Sequence, residues 1–393
     1  MAVPCKSSTR SFHGTQPLIP LSSPVKAILV HFKSRDLRRL HKHGRFWHIF
    51  LTDTSGSLGG AIIAQDEINT WTTHLFVPVD AEEDMDTVSA EDIVARTLGG
   101  MYDPFPITID KILVRSTWRP VIAVTKSWSG QHYRAFLAGD AAHQNIPTGG
   151  YGMNMGIADA FDLGWKMAAV INKSGGVGLL KSYQSERKPV AERNVAHSGV
   201  HFQVHFGLRD LLTRDELDPR HVDENTHTAR ETRAKVNRYY QEHDGENKDF
   251  GIEMDYRYKS HVIIPDSSDT KPTREPAWTP HNYTPTTWPG SRAPHVFLSD
   301  GRAIFDTLGK DWTLLTFEDA DCGQERLSAA AEKLGIPMKV VNLAGESLAR
   351  TLYERSLVLI RPDQHVAWRA GSLGSESEAI AILQTVTGRE NMI

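Results

Sequence analysis

Cysteine is nearly absent from this chain of 393 residues: Cys5 and Cys322 lie far apart, and neither sits in a Cys-x-x-Cys spacing. That excludes a disulfide framework and a cysteine zinc site, and it fits a reducing compartment, so a cytoplasmic protein without a metal is expected. Long apolar runs are missing too. Nothing approaches the roughly 20 apolar residues of a membrane span, and no apolar secretory core opens the chain. An excess of either charge is lacking: 44 basic and 48 acidic residues leave a net charge of −4. A polyanion-binding surface is therefore not indicated, and nucleic acid is not an expected partner. What remains, 40% hydrophobic and 23% charged residues, is the composition of a globular chain long enough for two or three domains.

Residues 1–24 read as a disordered leader. Behind them "VKAILVHF", "GRFWHIFLTD", "LGGAIIAQ" and "NTWTTHLFVPV" are β-branched and aromatic runs bounded by turn residues, which predicts three or four antiparallel strands within a mixed sheet. "SAEDIVARTLGG" predicts a helix capped by Ser89 and stopped at Gly99-Gly100. "ITIDKILVRSTW", "PVIAVTKSW" and "YRAFLAG" read as further strands. A 3.6-residue period then places Ile157, Ala160, Phe161, Gly164, Met167, Ala168 and Ile171 on one stripe, which predicts a helix that buries them. A second helix spans about 178–201, with a kink or break expected at Pro189. Residues 209–262 are densely charged and read as a solvated, mostly helical stretch. Residues 265–293, rich in Pro, Ser and Thr, read as a linker between a first domain at 25–264 and a β-α-β domain of thioredoxin-like layout at 294–393. Cys322 in that domain has no partner for dithiol exchange and reads as structural.

The chemistry sits in "FLAGDAAHQNIPTGGYGMNMG", where Gly139-Asp140 follows an extended run and Gly149, Gly150 and Gly152 open a helix near Met153. A carboxylate there can accept hydrogen bonds from ligand hydroxyls, and glycines let backbone approach a flat ligand. The helix start offers free N–H groups and a positive dipole end. The same residues also serve as a plain cap and tight turn, so the residue types alone leave both readings open.

The stretch from Phe136 to Ile171 closely resembles the second flavin motif of the FAD-dependent aromatic-ring hydroxylases, the flavoprotein monooxygenases of p-hydroxybenzoate hydroxylase and phenol hydroxylase type. "YQSERKPVAERN" resembles the helix that follows it. "YTPTTWPGSRAPHVFLSDGRAIFDTLG" and "LVLIRPDQHVAWR" resemble the thioredoxin-like C-terminal domain of the phenol-hydroxylase and polyketide-hydroxylase branch. The resemblance runs from about Val25 to Trp368. It implies that Asp140 holds the ribityl hydroxyls of FAD, that Pro147, Gly149 and Gly150 line the flavin ring, and that the backbone of Gly152, Met153 and Asn154 meets its pyrimidine edge. It further implies an oxidoreductase of secondary metabolism that uses NADH or NADPH and O2 to hydroxylate a phenolic or polyketide-derived aromatic molecule. No catalytic base is legible. His48, Trp47, Trp71 and His74 are candidates to face the substrate, with core packing as the competing reading.

The sequence departs from the family in having no G-x-G-x-x-G with an acidic residue about 20 positions on, which binds the pyrophosphate and ribose. The expected fold is therefore α/β (α+β): a truncated flavin monooxygenase fold with a mixed sheet and long helices, plus the thioredoxin-like domain. The alternatives are a non-redox small-molecule binding protein, cyclase or isomerase derived from that family, or a non-catalytic partner. A homodimer or a pairing with a full-length homologue is compatible with either.

Overall fold

Period-2 alternation builds the first sheet. In the computed structural model, which describes residues 25–66, 68–214, 219–243, 248–266, 274–318 and 320–389, strand β1 (Val25–Lys33) turns Ile28, Val30 and Phe32 to one face. The leader expected at 1–24 lies outside the described residues. β1 sits between β4 (Thr70–Pro78) and β5 (Lys111–Trp118), and β3 (Leu58–Ala64) and β2 (His48–Thr52) complete the order β2-β3-β4-β1-β5, antiparallel throughout. Helix α1 (Ala90–Gly99) covers one face, where Ile93 and Val94 pack on Phe32, Ile62 and Trp71. Its ends are as the sequence predicts: the Ser89 hydroxyl accepts from the Asp92 N–H, and Gly100 leaves the helix at φ 59°.

The opposite face is covered by the elements that carry the site. A two-stranded pair, β6 (Ala123–Val124) with β7 (His143–Gln144), precedes helix α2 (Tyr151–Ile171) and helix α3 (Gly178–Arg214). Phe76 of β4 packs there against a cluster that includes Trp128, Tyr183, Val195 and Phe202, with its ring edge-on to that of Phe202. Helices α4 (His227–Glu242) and α5 (Phe250–Met254) lie beyond.

Three sequence expectations are corrected here. "YRAFLAG" forms only a bridge at Phe136, because its extended backbone folds back on 128–130, with Leu137 N–H donating to the Trp128 carbonyl and Gly130 N–H to that of Ala135. Helix α3 runs unbroken through Pro189. The carbonyl that proline deprives is that of Ser185, an exposed residue, while buried Tyr183, Glu186, Arg187, Val190 and Ala191 hold the helix on both sides of it.

Helix α2 is inverted relative to its hydropathy. Its buried face is Tyr151, Met155, Asp159, Asp162 and Lys166. The stripe expected inside is outside, with Ile157, Phe161, Met167 and Ile171 between 39% and 72% exposed. The buried charges are held by mutual pairing: Lys166 Nζ lies 2.8 Å from Asp162 and 2.6 Å from Glu186 of α3. Ion pairing, not hydrophobic burial, orients this helix.

After extended residues 274–303 comes a short helix α6 (Ile304–Thr307), then β8 (Trp312–Thr316), α7 (Gln324–Lys333), β9 (Met338–Asn342), α8 (Ser347–Tyr353), β10 (Leu357–Ile360), β11 (Val366–Ala370) and α9 (Glu376–Val386). The sheet order is β11-β10-β8-β9 with only β8 and β9 parallel. Both faces are buried: Leu314, Leu327, Leu359 and Leu383 on one side, Leu315, Tyr353, Val358 and Ile360 on the other. Cys322 packs against the first cluster. This domain docks on α2 and α3 through Arg361, whose guanidinium reaches Glu186 at 2.8 Å and Asp162 at 3.2 Å. Among the described residues no helix is long and apolar enough to cross a membrane.

Candidate cofactor site

The Gly-rich loop is anchored by one buried carboxylate. Asp159, a helical turn and more inside α2, accepts from the Gly139 backbone N–H at 3.0 Å, from His143 Nε2 at 2.8 Å and from Arg187 Nε at 2.7 Å. Burial opposes its charge, but the hydrogen bond of His143 and the charge of Arg187 outweigh that and hold the carboxyl below its ordinary value. Arg187 of α3 is fixed in turn by the Tyr258 hydroxyl at 3.1 Å. One side chain thus ties both ends of the loop and two helices together.

Above that anchor the expected residues form an exposed rim. Asp140, Pro147, Gly150, Met153 and Asn154 are exposed, and Gly149 and Gly152 are half-buried. Helix α2 begins at Tyr151, two residues earlier than expected, with Gly150 as an N-cap that offers no side chain to its free N–H groups. Gly149 and Gly150 both have left-handed backbones, φ 82° and 69°. They differ in surroundings: a Cβ on Gly149 would lie 2.5 Å from the Tyr151 ring and 2.9 Å from His201, whereas a Cβ on Gly150 would meet nothing within 4 Å. The open side of the loop is thus roomy and lined with backbone donors, and its inner side is tightly packed. The Asn154 amide closes back on the Gly150 carbonyl at 2.9 Å.

The four aromatic candidates separate. Trp71 is fully buried on the α1 face, where its indole donates to the Ser34 carbonyl, so it belongs to the core. His74 faces the other way, edge-on to Trp118, and burial together with the nearby His48 brings its imidazole down to about 4, neutral at pH 7. Trp47 and His48 line a cavity of about 790 Å³ with Phe46, Phe50, His205 and Tyr240. Phe50 and His205 meet there with ring centroids 4.0 Å apart and ring planes tilted by 34°. His205 lies one turn of α3 beyond His201, so the cavity and the loop are neighbours along that helix. Sequence reasoning missed Asp159, His143 and Arg187; a carboxylate in the midst of an apolar period was the available signal.

Residues 6–198 match the FAD binding domain family, and residues 286–389 match the family described as aromatic-ring hydroxylase, C-terminal. Over 377 residues the chain is 45% identical to the FAD-dependent monooxygenase opdD of Penicillium oxalicum, covering 94% of this chain and 70% of that one. The chain belongs to the FAD-dependent aromatic-ring hydroxylases. This hydroxylase is also 45% identical over 369 residues to the FAD-dependent monooxygenase apdD of Emericella nidulans, covering 92% of its own length and 58% of the relative's. Among solved structures it resembles the flavin-dependent monooxygenase PieE in complex with FAD and substrate, with a TM-score of 0.78 at 28% identity, covering 96% of this chain and 67% of PieE. It therefore spans between 58% and 70% of the length of these two curated relatives.

Proposed function

We propose that this hydroxylase inserts one oxygen atom of O2 into a phenolic or polyketide-derived aromatic molecule, using FAD and a nicotinamide donor, NADH or NADPH. The observation that carries the reading is the exposed rim at the start of α2, where Gly150, the second of two left-handed glycines, leaves open space above an uncapped helix N-terminus. A flat, polyhydroxylated and electron-accepting group fits such a rim. Asp140 would accept hydrogen bonds from the ribityl hydroxyls of FAD, Pro147, Gly149 and Gly150 would lie along its ring, and the N–H groups of Gly152, Met153 and Asn154 would face its pyrimidine edge. Bound FAD would pass the nicotinamide's two electrons to O2, and the helix end would favour the reduced, anionic ring.

The chain's own residues do the rest by position. Asp159 fixes the loop, and the aromatic walls of the large cavity suit a ring-shaped substrate one helical turn from it. His48 and His205, which line that cavity, are the polar side chains placed to orient a phenol there. The half-buried thiol Cys322, free of a disulfide, suits a reducing, cytoplasmic setting.

The test is to purify residues 1–393, add excess FAD, desalt and record the visible flavin spectrum and thermal stability. Stoichiometric flavin with a raised melting temperature supports the reading; colourless protein with an unchanged melting temperature opposes it. A second reading, a partner role through a homodimer or a full-length homologue, is favoured by the exposed apolar stripe of α2. Light scattering of the chain alone and with such a homologue tests it: a strictly monomeric chain in both cases removes it.

A further inference from the structure

We propose that His197, His201 and Asp249 bind one divalent transition-metal ion of the zinc class. They lie behind the cofactor loop and meet it through Tyr151 and Gly149. His197 and His201 stand four residues apart on α3 and so share a face, with rings 4.8 Å apart and nearly perpendicular. Asp249, which immediately precedes α5, is buried and directs Oδ2 at both: 2.7 Å to His197 Nε2 and 2.9 Å to His201 Nε2. The three ligand atoms all lie within 4.8 Å of one another.

The donor set decides the class of ion. Two imidazole nitrogens and one carboxylate oxygen suit zinc or another first-row divalent ion; calcium and magnesium require a shell of oxygens. A fourth group is at hand, since the Tyr151 hydroxyl lies 2.9 Å from His201 Nε2 and 3.2 Å from Asp249 Oδ2. The Tyr151 hydroxyl donates to Asp249, and the two imidazoles reach the same carboxylate, so the three donor atoms converge on one point whether a proton or a cation sits among them. A single cation among them uses both imidazole lone pairs and neutralises the buried carboxylate. Ligands about 2.1 Å from a tetrahedral centre stand about 3.4 Å apart, so the present spacings open by about half an ångström on loading.

The outer partner is also in place. His281 Nδ1 lies 3.0 Å from Asp249 Oδ1, the oxygen that faces away from the pair, and it is half-exposed. It orients the carboxylate, as partners of metal ligands do, and marks the side from which an ion enters. The site abuts the cofactor loop, because His201 and Tyr151 are the groups that a Cβ on Gly149 would strike. Loading the ion would therefore stiffen the inner wall of that loop.

The experiment treats the full chain with chelator, dialyses it and titrates it with Co2+ and then Zn2+. The expected result is one tightly held equivalent, a visible Co2+ absorption band of four-coordinate intensity, and loss of that band when Zn2+ is added. His197→Ala, a change at a half-buried helix position, should weaken binding on the order of 100-fold, as should Asp249→Asn. His227→Ala, on the exposed face of α4, should leave it unchanged. No band and no retained zinc would overturn the proposal, and so would unchanged affinity in His197→Ala, which places any bound ion elsewhere. If Asp249→Asn fails to fold, His197→Ala decides alone.

Discussion

His143 and Asp159 meet at 2.8 Å in a place where solvent reaches neither side chain. The contact joins the strand before the Gly-rich loop to the helix after it, and the loop's geometry depends on it. Replacing Asp159 by Ala leaves Arg187 buried without its carboxylate, a change that costs about 3–5 kcal/mol. Chemical denaturation of Asp159→Ala should show that loss. Because the Asp159 carboxyl is held low, its contribution to stability is present above the ordinary carboxylate range and is lost as pH falls below it; the variant should lack that acid limb.

Asp140 separates binding from folding. Its side chain is exposed, so Asp140→Ala should change stability by no more than about 0.5 kcal/mol. Flavin retention after desalting should nonetheless fall sharply. A variant that keeps flavin as the parent does would remove Asp140 from the cofactor site.

The two loop glycines should respond unequally. Gly150→Ala meets only the cost of a left-handed backbone, about 1–2 kcal/mol. Gly149→Ala adds overlap with the Tyr151 ring and His201, and should lower the melting temperature considerably further. Thermal unfolding of the pair side by side checks the order.

Asp162 gives the buried charge cluster a pH signature. Burial, against the pull of Lys166, pushes its carboxyl up to about 7, so its favourable contribution is full below about pH 4 and is lost as pH rises through 7. Glu186 behaves oppositely. Burial opposes its charge too, but Arg361 and Lys166 prevail and hold it at about 2, so its contribution fails only in strong acid. The Asp162 contribution declines between about pH 4 and 7, and Asp162→Asn should flatten the fall in melting temperature across that window.

Much of this architecture was legible because local chemistry and tertiary structure agree. The Ser89 cap, the strands around Phe32 and Trp71, and the hairpin from Leu357 to Ala370 all follow from spacing and end signals. The loop residues were legible as a group, since left-handed glycines and a following helix announce themselves. The supports were not. Asp159 and Arg187 are far apart in sequence and their pairing is a property of packing. The orientation of α2 was misread because periodicity reports where apolar side chains lie, and here paired ions, Lys166 with Asp162 and Glu186, occupy the inside. Pro189 was misread because its penalty depends on whether the stranded carbonyl meets water, which sequence does not state.

The outward apolar stripe of α2 also shapes the temperature response of the chain. Heat capacity rises on unfolding in proportion to apolar surface newly wetted, and Met153, Ile157, Phe161 and Ile171 are wetted already. They contribute almost nothing to the curvature of the stability profile. The isolated chain should therefore have a shallower profile than its length implies, and whatever covers the stripe would steepen it.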